Sequence, residues 1–361
     1  MGKCQPVSLD YSYYEMAKRE SMRSYFYMKS NRVIVPVDDE KLQNLAKVKI
    51  QEILSNEELS IPRKFRESSD KVAIYNPKGN IEKANALILE GEDGAYDLDN
   101  RLNDLNGKEW TKFICSWFIF NALQSDLKEE RTFLSETEEH PATFSPTMIE
   151  GFIKFFTKEG MNVFDPFAGI GSTLVAAART GRNGYGTELN EKYYKIAIAR
   201  TPQFKGQVFN ESCENIRNLD LPIQDFCISS PPYWDVLNRS TKDFKKNRDK
   251  KNLDHTYSKD DADLGNIDDY DEFVRRLCHV YVGLFDKLKK DAYVIIILKN
   301  VKKDGQFFPL AWDVAKELSK TYVLKDEKIW IQDKIGLAPY GYPYGWVSNI
   351  LHHYCLIFQK K

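Results

Sequence analysis

Long apolar segments are absent from this sequence. No stretch of the 361 residues approaches the roughly 18 to 20 consecutive apolar residues that a membrane-spanning helix needs. The first residues, MGKCQPVSLDYSYY, also lack the charged and then apolar layout of a signal peptide. These two absences predict an intracellular, cytoplasmic protein without a membrane partner.

Cysteine is scarce, and no two cysteines form the CxxC pair that is typical of zinc sites and redox centres. We therefore expect reduced thiols, mostly in the core, and predict no metal site. The cysteines are Cys4, Cys115, Cys213, Cys227, Cys278 and Cys355. The sequence also has no large excess of positive or negative charge. Its net charge is -1, which neither excludes a nucleic-acid partner nor supports one.

The length and the 42% content of hydrophobic residues allow one large catalytic domain and a smaller accessory region. From Pro146 onward, helical spacing alternates with short apolar runs, which is typical of an α/β fold with a mostly parallel sheet. We predict a Rossmann-like, doubly wound sheet that ends in antiparallel strands. Its seven strands are predicted at 162–164, 184–187, 207–210, 225–229, 292–298, 323–330 and 353–359.

The predicted boundary separates an N-terminal accessory region, residues 1–107, from a catalytic domain, residues 108–361. The segment KEWTKFICSWFIFNAL at 108–123 is strongly apolar and aromatic. Its composition favours a buried helix or strand in the core.

The segment FDPFAGIGST, Phe164 to Thr173, follows a predicted strand and opens a predicted helix. Glycines at such a point let the backbone turn tightly and approach a ligand closely, although a purely structural turn is an alternative. Neither GxGxxG nor GxxxxGK[ST] occurs, so the segment favours neither a dinucleotide nor a triphosphate. The carboxylate of Asp165 instead suits a cationic, amine-bearing ligand.

Glu188 lies at the end of the next predicted strand, in YGTELN. A carboxylate at that position can accept hydrogen bonds from both hydroxyls of a ribose. The glycine turn and this downstream acid together predict a ligand that contains a nucleoside.

Here the sequence resembles the class I methyltransferases, and closely the DNA amino-methyltransferases, whose cofactor motif is typically DPFxGxGT followed by a glutamate. The resemblance implies S-adenosyl-L-methionine as the cofactor. It also implies that His140 to Pro146 closes over the methionine part and that Asn210 to Glu214 contacts the adenine, with Ser212 where the family usually has aspartate. The cofactor-binding residues implied in this way are Thr143, Phe144, Asp165, Pro166, Phe167, Ala168, Gly169, Gly171, Ser172, Thr173, Glu188, Leu189, Ser212, Cys213 and Ser229.

A second motif, SSPPYW from Ser229 to Trp234, follows a short apolar strand at the expected carboxyl edge of the sheet. An exocyclic amine is a poor nucleophile because its lone pair is delocalised into the ring. Hydrogen bonds from the amine to the Ser230 hydroxyl and the Pro231 carbonyl would aim that lone pair at the methyl donor.

The rest of this motif suits an extruded base. Pro232 stiffens the loop and Tyr233 would stack on the ring. A base within a duplex cannot reach such a pocket, so base flipping is implied, with Trp234 as a further contact to DNA. A rigid Ser-Pro turn with buried aromatics is the alternative.

Family resemblance also bears on the choice of base. DPPY is usual for adenine N6 methylation, whereas SPPYW is commoner among cytosine N4 enzymes. The serine form favours cytosine N4, with adenine N6 as the second choice. Cytosine C5 methylation needs a cysteine nucleophile after proline, and no Pro-Cys pair occurs.

After this motif comes KDFKKNRDKK, residues 242–251, with six basic residues in ten. Such a loop could neutralise phosphates of DNA, and a solvated surface insertion is the alternative. The candidate contacts are Lys245, Lys246, Arg248, Lys250 and Lys251. The segment GLAPYGYPYGWVSN at 336–349 is a second candidate, for stacking on bases or for packing over the pocket.

The leading hypothesis is a site-specific DNA cytosine-N4 methyltransferase of a prokaryotic or phage restriction-modification or defence system, with a cognate nuclease as a candidate partner. The cofactor motif precedes the acceptor motif, the reverse of the order in many enzymes of this family. Target recognition is therefore assigned to the N-terminal region or to the loops. The sequence is also compatible with an RNA base methyltransferase and with a catalytically inactive DNA-binding subunit.

Overall fold

The protein is described here by a computed structural model. It describes four strands within residues 34–97, and then residues 100–121, 145–201, 206–234 and 263–361. The chain divides into two compact units, Met1–Ile114 and Cys115–Lys361. The functional division at residue 107 stays a prediction.

The first unit contains a small antiparallel sheet in the order β1-β2-β3-β4. Its strands are Ile34–Val35, Val72–Tyr75, Ala86–Gly91 and Gly94–Asp97. Helix α1, Gly107–Phe113, begins with a reciprocal cap. Asn106 Oδ1 accepts the Glu109 backbone N–H at 3.0 Å, and the Glu109 carboxylate accepts the Asn106 N–H at 2.9 Å.

The second unit is built on an eight-stranded sheet in the order β5-β13-β14-β10-β9-β6-β7-β8. All neighbouring pairs are parallel except the two pairs that include β14. The seven predicted strands are present, and the short β5 adds an eighth at the edge. The strands of this sheet are β5 Trp117–Ile119, β6 Asn162–Asp165, β7 Asn183–Thr187, β8 Gly206–Phe209, β9 Gln224–Ser229, β10 Leu288–Leu298, β13 Val323–Ile331 and β14 His352–Gln359.

Helices cover both faces of this sheet, which confirms the doubly wound α/β fold. On one face, Phe156 of α2 stacks on Phe226 at 5.5 Å and contacts Tyr293. On the opposite face, Val294 and Ile296 share a buried cluster with residues of α5 and α6. The helices are α2 Pro146–Phe156, α3 Ser172–Arg179, α4 Glu191–Arg200, α5 Tyr270–Leu284 and α6 Leu310–Leu318, and a short hairpin of β11 Val301–Lys303 and β12 Gln306–Phe308 precedes α6.

Strand directions determine which residues meet at the functional edge. The parallel strands β6, β7, β9, β10 and β13 all end at the same edge of the sheet. Because β14 runs antiparallel to β10 and β13, its first residues lie at that edge as well. Loops that follow β6, β7 and β9 therefore meet the start of β14, which is where ligands bind in open α/β sheets.

The prediction that 108–123 forms part of the core is wrong for the residues that the structure describes. Helix α1 contains no buried residue. Ile114, Trp117 and Ile119 are exposed by 58%, 37% and 41%. The reason is that β5 lies at the end of the sheet, where β13 is its one pairing partner among the described strands.

Two expectations from composition can be compared with the structure. The five cysteines within the described residues are free, and four of them are buried, as expected. Among the described helices, none combines the length and the apolar character required to cross a membrane.

Candidate functional site

A cavity of about 280 Å³ lies at this edge of the sheet. All four predicted catalytic residues, Ser230 to Tyr233, line it. Twelve of the predicted cofactor residues line it too: Asp165, Pro166, Phe167, Ala168, Gly169, Ser172, Thr173, Glu188, Leu189, Ser212, Cys213 and Ser229. The two motifs, distant in sequence, therefore share one cavity.

Asp165 ends β6, and two hydrogen bonds hold its side chain. Oδ1 accepts the backbone N–H of Phe167 at 2.9 Å, and Oδ2 accepts the Thr173 hydroxyl at 2.6 Å. Burial raises the pKa of Asp165 to about 6, although both hydrogen bonds act to lower it. A cationic group of a ligand would stabilise the ionised form.

Two glycines shape the turn around Asp165 without lining the cavity. Gly171 has φ 87° at the N-cap of α3, and a Cβ there would lie 3.1 Å from that of Ala197. At Gly186 in β7, a Cβ would lie 2.8 Å from the Asp165 carbonyl oxygen and 2.9 Å from the Ala168 Cβ. Gly171, predicted to bind the cofactor, is not among the residues that line the cavity, and the structure shows it at a turn that needs its positive φ.

Glu188 follows β7 and is held by the turn itself. Its Oε2 accepts the Gly169 N–H and its Oε1 accepts the Asn190 N–H, both at 2.8 Å. Burial, with smaller contributions from the negative charges of Asp165 and Asp263, raises the pKa of Glu188 to about 7, although both hydrogen bonds act to lower it. Each carboxylate oxygen has capacity for another donor, which suits the two hydroxyls of a ribose.

Ser212 lines the cavity and is the N-cap of a 3-10 helix, Cys213–Asn218. Its hydroxyl accepts the Glu214 N–H at 3.3 Å. Glu214 in turn makes a bidentate ion pair with Arg276 of α5, at 2.9 and 2.6 Å. This pair anchors the segment that carries Ser212 and Cys213 to the body of the unit.

On the acceptor side, the SSPPYW loop leaves β9 with its first serine buried. Ser229 Oγ and Tyr281 Oη form a hydrogen bond of 2.7 Å. Ser230 Oγ lies 3.3 Å from Tyr233 Oη and donates weakly to the Ile297 carbonyl at 3.4 Å. These long contacts leave the Ser230 hydroxyl available to a ligand.

The prediction that Trp234 contacts DNA is wrong. Its side chain is only 3% exposed and its Nε1 donates to the Asp268 carbonyl at 3.1 Å. The indole packs against Tyr270 and Phe308, with ring centroids at 5.0 and 4.7 Å. Trp234 packs between α5 and β12 and so anchors the end of the acceptor loop to the core.

Sequence reasoning missed a group of lining residues, most of which lie outside the two motifs. Three of them are Trp330 of β13, Gln332 just after β13, and His353 of β14. Trp330 and His353 are direct cross-strand partners, and their rings stack at a centroid distance of 4.3 Å. Only the antiparallel insertion of β14 brings them to the cavity. The residues missed are Ile149, Ile170, Thr187, Asn190, Tyr193, Asp263, Leu264, Trp330, Gln332 and His353.

Some predicted site residues lie outside the described residues. These are the cofactor candidates Thr143 and Phe144 and the DNA candidates Lys245, Lys246, Arg248, Lys250 and Lys251. Their roles stay predictions.

The strand order and the shared cavity define a catalytic domain of the class I methyltransferase fold. The sequence profile of the N6/N4 DNA methylase family matches residues 17–199, about half of the chain, and the protein belongs to this family. Its cofactor is S-adenosyl-L-methionine. The carboxylates of Glu188 and Asp165 fit the ribose and the cationic amine of that molecule. The matched range includes FDPFAGIGST and ends before SSPPYW.

Similar proteins with curated names align over shorter ranges. The orphan methyltransferase M.BamHII of Bacillus amyloliquefaciens is 32% identical over 130 residues, which are 36% of this chain and 45% of that protein. The type II methyltransferase M.ScaI of Streptomyces caespitosus is 38% identical over 65 residues, 18% of this chain and 21% of that protein. The chain thus spans less than half of the length of either relative.

A solved structure, TrmN from Thermus thermophilus, is also similar. It aligns with 61% of this chain and 50% of its own, at 13% identity and a TM-score of 0.40.

Proposed function

We propose that this protein is a site-specific DNA methyltransferase that transfers the methyl group of S-adenosyl-L-methionine to the exocyclic N4 amine of a cytosine flipped out of duplex DNA. The observation that supports this most is that Glu188 and most residues of FDPFAGIGST and SSPPYW line one cavity. A donor site and an amine acceptor site within one cavity satisfy the proximity that methyl transfer needs.

On the donor side, Glu188 would accept the ribose hydroxyls and Asp165 the cationic amine of the methionine part. Leu189, Ser212 and Cys213 would enclose the adenine. When bound, S-adenosyl-L-methionine supplies a methyl group activated by a positively charged sulfur. The negative charge that Asp165 and Glu188 carry when ionised favours this cationic ligand.

On the acceptor side, the Ser230 hydroxyl and the Pro231 carbonyl would accept hydrogen bonds from the amine and orient its lone pair. Tyr233 would stack on the extruded ring. Ser230 cannot serve as a strong base, so its role is orientation of the amine.

Cytosine is preferred over adenine because the acceptor loop has the SPPYW form rather than DPPY. This preference rests on the family resemblance, and DNA adenine-N6 methylation is the second candidate function. The relatives M.BamHII and M.ScaI carry the names orphan and type II methyltransferase. A place in restriction-modification or defence is proposed by analogy with them.

The test is transfer of label from S-adenosyl-L-methionine to duplex DNA, followed by digestion to nucleosides. Label in N4-methylcytosine is expected. Label exclusively in N6-methyladenine would establish the second candidate, and label in RNA but not in DNA would refute both.

Two variants connect this activity to the cavity. Ser230→Ala is expected to lower kcat by about 100-fold, because a misplaced amine loses its alignment with the methyl group. Ser319→Ala, which removes an exposed hydroxyl after α6, should leave kcat unchanged. Equal activity of Ser230→Ala and the wild type would refute the assignment of the acceptor loop.

A further inference from the structure

His353 is placed beside the acceptor loop by the register of three strands. In β14, His353 pairs with Trp330 and the next residue, Tyr354, pairs with Leu298 of β10. In β10, Ile296 pairs with Ser229, the residue before Ser230. The ring of His353 lies 5.9 Å from that of Tyr233, and both side chains line the cavity.

The imidazole of His353 stacks on the indole of Trp330, its cross-strand partner. Its plane is within 22° of that of Trp330, at a centroid distance of 4.3 Å. The Trp330 Nε1 donates to the Phe120 carbonyl at 2.8 Å, which fixes the indole beneath it. Trp330 therefore provides a rigid support for the His353 ring.

Within the described residues, the Nδ1 of His353 is buried and has no hydrogen-bond partner. The side chain is 7% exposed. A buried polar atom left unpaired is destabilising, so the unpaired Nδ1 of a side chain that lines the cavity calls for a functional explanation. No described group fixes which ring nitrogen carries the proton, so either tautomer is available to a ligand.

The ring is neutral at physiological pH. Burial, with smaller contributions from the positive charge of Lys299 and from the neighbouring His352, lowers the pKa of His353 to about 3. A neutral imidazole has one N–H and can donate to an uncharged ring nitrogen of a base without bringing a charge into the cavity.

Both candidate bases carry an acceptor nitrogen directly beside the reactive amine. It is N3 in cytosine and N1 in adenine, and each can accept one hydrogen bond. With the amine held by Ser230 and Pro231, that nitrogen is the nearest ring atom on the same edge. The Tyr233 side of the cavity would then contact the face of the ring and the His353 side its edge.

We propose that His353 is a positioning residue that donates a hydrogen bond to the ring nitrogen adjacent to the methylated amine, with Trp330 holding the imidazole in place. This inference rests on the proposed transfer to a base amine. It does not depend on whether that base is cytosine or adenine.

The experiment begins by mapping the methylated base and its sequence context in DNA from cells that express the protein. Synthetic duplexes then carry either the natural target base or its deaza analogue, 3-deazacytosine or 1-deazaadenine, in which the ring nitrogen is replaced by C–H. kcat/KM is measured on both duplexes for the wild type and for His353→Phe. Phenylalanine retains a ring that can stack on Trp330 and removes both nitrogens.

We expect the deaza base to lower kcat/KM of the wild type by roughly tenfold. His353→Phe should lose about the same factor on the natural base and lose nothing further on the deaza base. His352→Phe, which changes the neighbouring histidine outside the cavity, should behave like the wild type. The Kd for S-adenosyl-L-methionine should be the same in all three proteins, which shows that the fold is intact.

His353→Phe that remains as sensitive to the deaza base as the wild type would overturn the inference, whatever its absolute activity. If His353→Phe fails to fold, His353→Gln, whose amide can donate from a similar position, must restore folding and deaza sensitivity. A His353→Gln protein that folds but is insensitive to the deaza base overturns the inference as well. Absence of base methylation by the wild type refutes the proposed function instead, so the two failures are distinct.

Discussion

The affinity for S-adenosyl-L-methionine should depend on pH between about 6 and 8, because two acids in the donor site lose their protons only in or just below this range. The pKa of Asp165 is about 6 and that of Glu188 about 7 in the protein without ligand. A cationic ligand whose ribose hydroxyls donate to Glu188 binds best when both carboxylates are ionised. Affinity should therefore rise with pH and level off above about pH 8.

The magnitude follows from the ionised fractions. At pH 6, Asp165 is half ionised and Glu188 about one-tenth ionised, so the affinity should be about 20-fold lower than at pH 8. Binding at pH 6 should release about 1.4 protons for the same reason. Isothermal titration calorimetry in two buffers of different ionisation enthalpy measures both quantities.

Two variants test whether the pH dependence of the affinity comes from Glu188. In Glu188→Gln, the side chain cannot ionise, so affinity should be lower at all pH values and change only about twofold between pH 6 and pH 8. Glu191→Gln removes an exposed carboxylate that pairs with Lys195 and should retain the wild-type pH dependence. A wild-type Kd that is constant within twofold over this range, without proton release, would refute the reasoning.

The stability of the ligand-free protein should show the opposite dependence. Both acids have a higher pKa in the folded than in the unfolded protein, so the folded state binds more protons. Their contribution to stability is present below about pH 4, the ordinary range for these acids, and is lost as pH rises to about 7. Saturating S-adenosyl-L-methionine should raise Tm more at pH 8 than at pH 6.

Three further substitutions test particular contacts. Ser212→Asp restores the usual acid of the family while keeping an N-cap acceptor, and should lower the Kd for S-adenosyl-L-methionine by about two- to tenfold, measured by calorimetry. Trp234→Ala should lower the free energy of unfolding by about 3 to 5 kcal/mol in urea denaturation, while DNA affinity of the folded protein is unchanged; a loss of DNA affinity without a loss of stability would contradict its place in the core. Gly186→Ala should destabilise the protein by about 1 to 3 kcal/mol and weaken cofactor binding, because its Cβ would meet the Asp165 carbonyl oxygen at 2.8 Å; an unchanged Tm and Kd would show that β6 and β7 separate easily.

The local sequence pattern was sufficient to predict most strands of the large sheet and the main residues of the donor site. Seven strands of the large sheet were predicted, and those such as β9 and β10 were predictable because buried parallel strands are short apolar runs between helices of regular spacing. The short strands β5, β11 and β12 were not predicted. FDPFAGIGST was informative because a glycine turn between a strand and a helix restricts what can bind there. Glu188 was identifiable because parallel neighbouring strands end at one edge.

The tertiary structure decided which side chains are buried and which of them meet at the site. Trp234 belongs to a motif with an expected role in DNA contact, yet packing against Tyr270 and Phe308 assigns it to the core. The apolar residues of β5 are exposed because the strand lies at the sheet edge. His353 has no sequence signal, and it reaches the acceptor site only because β14 is inserted antiparallel between β10 and β13. Side-chain composition determines which segments become strands, whereas strand order and direction determine which side chains meet, because contacts between distant segments depend on how the whole sheet assembles.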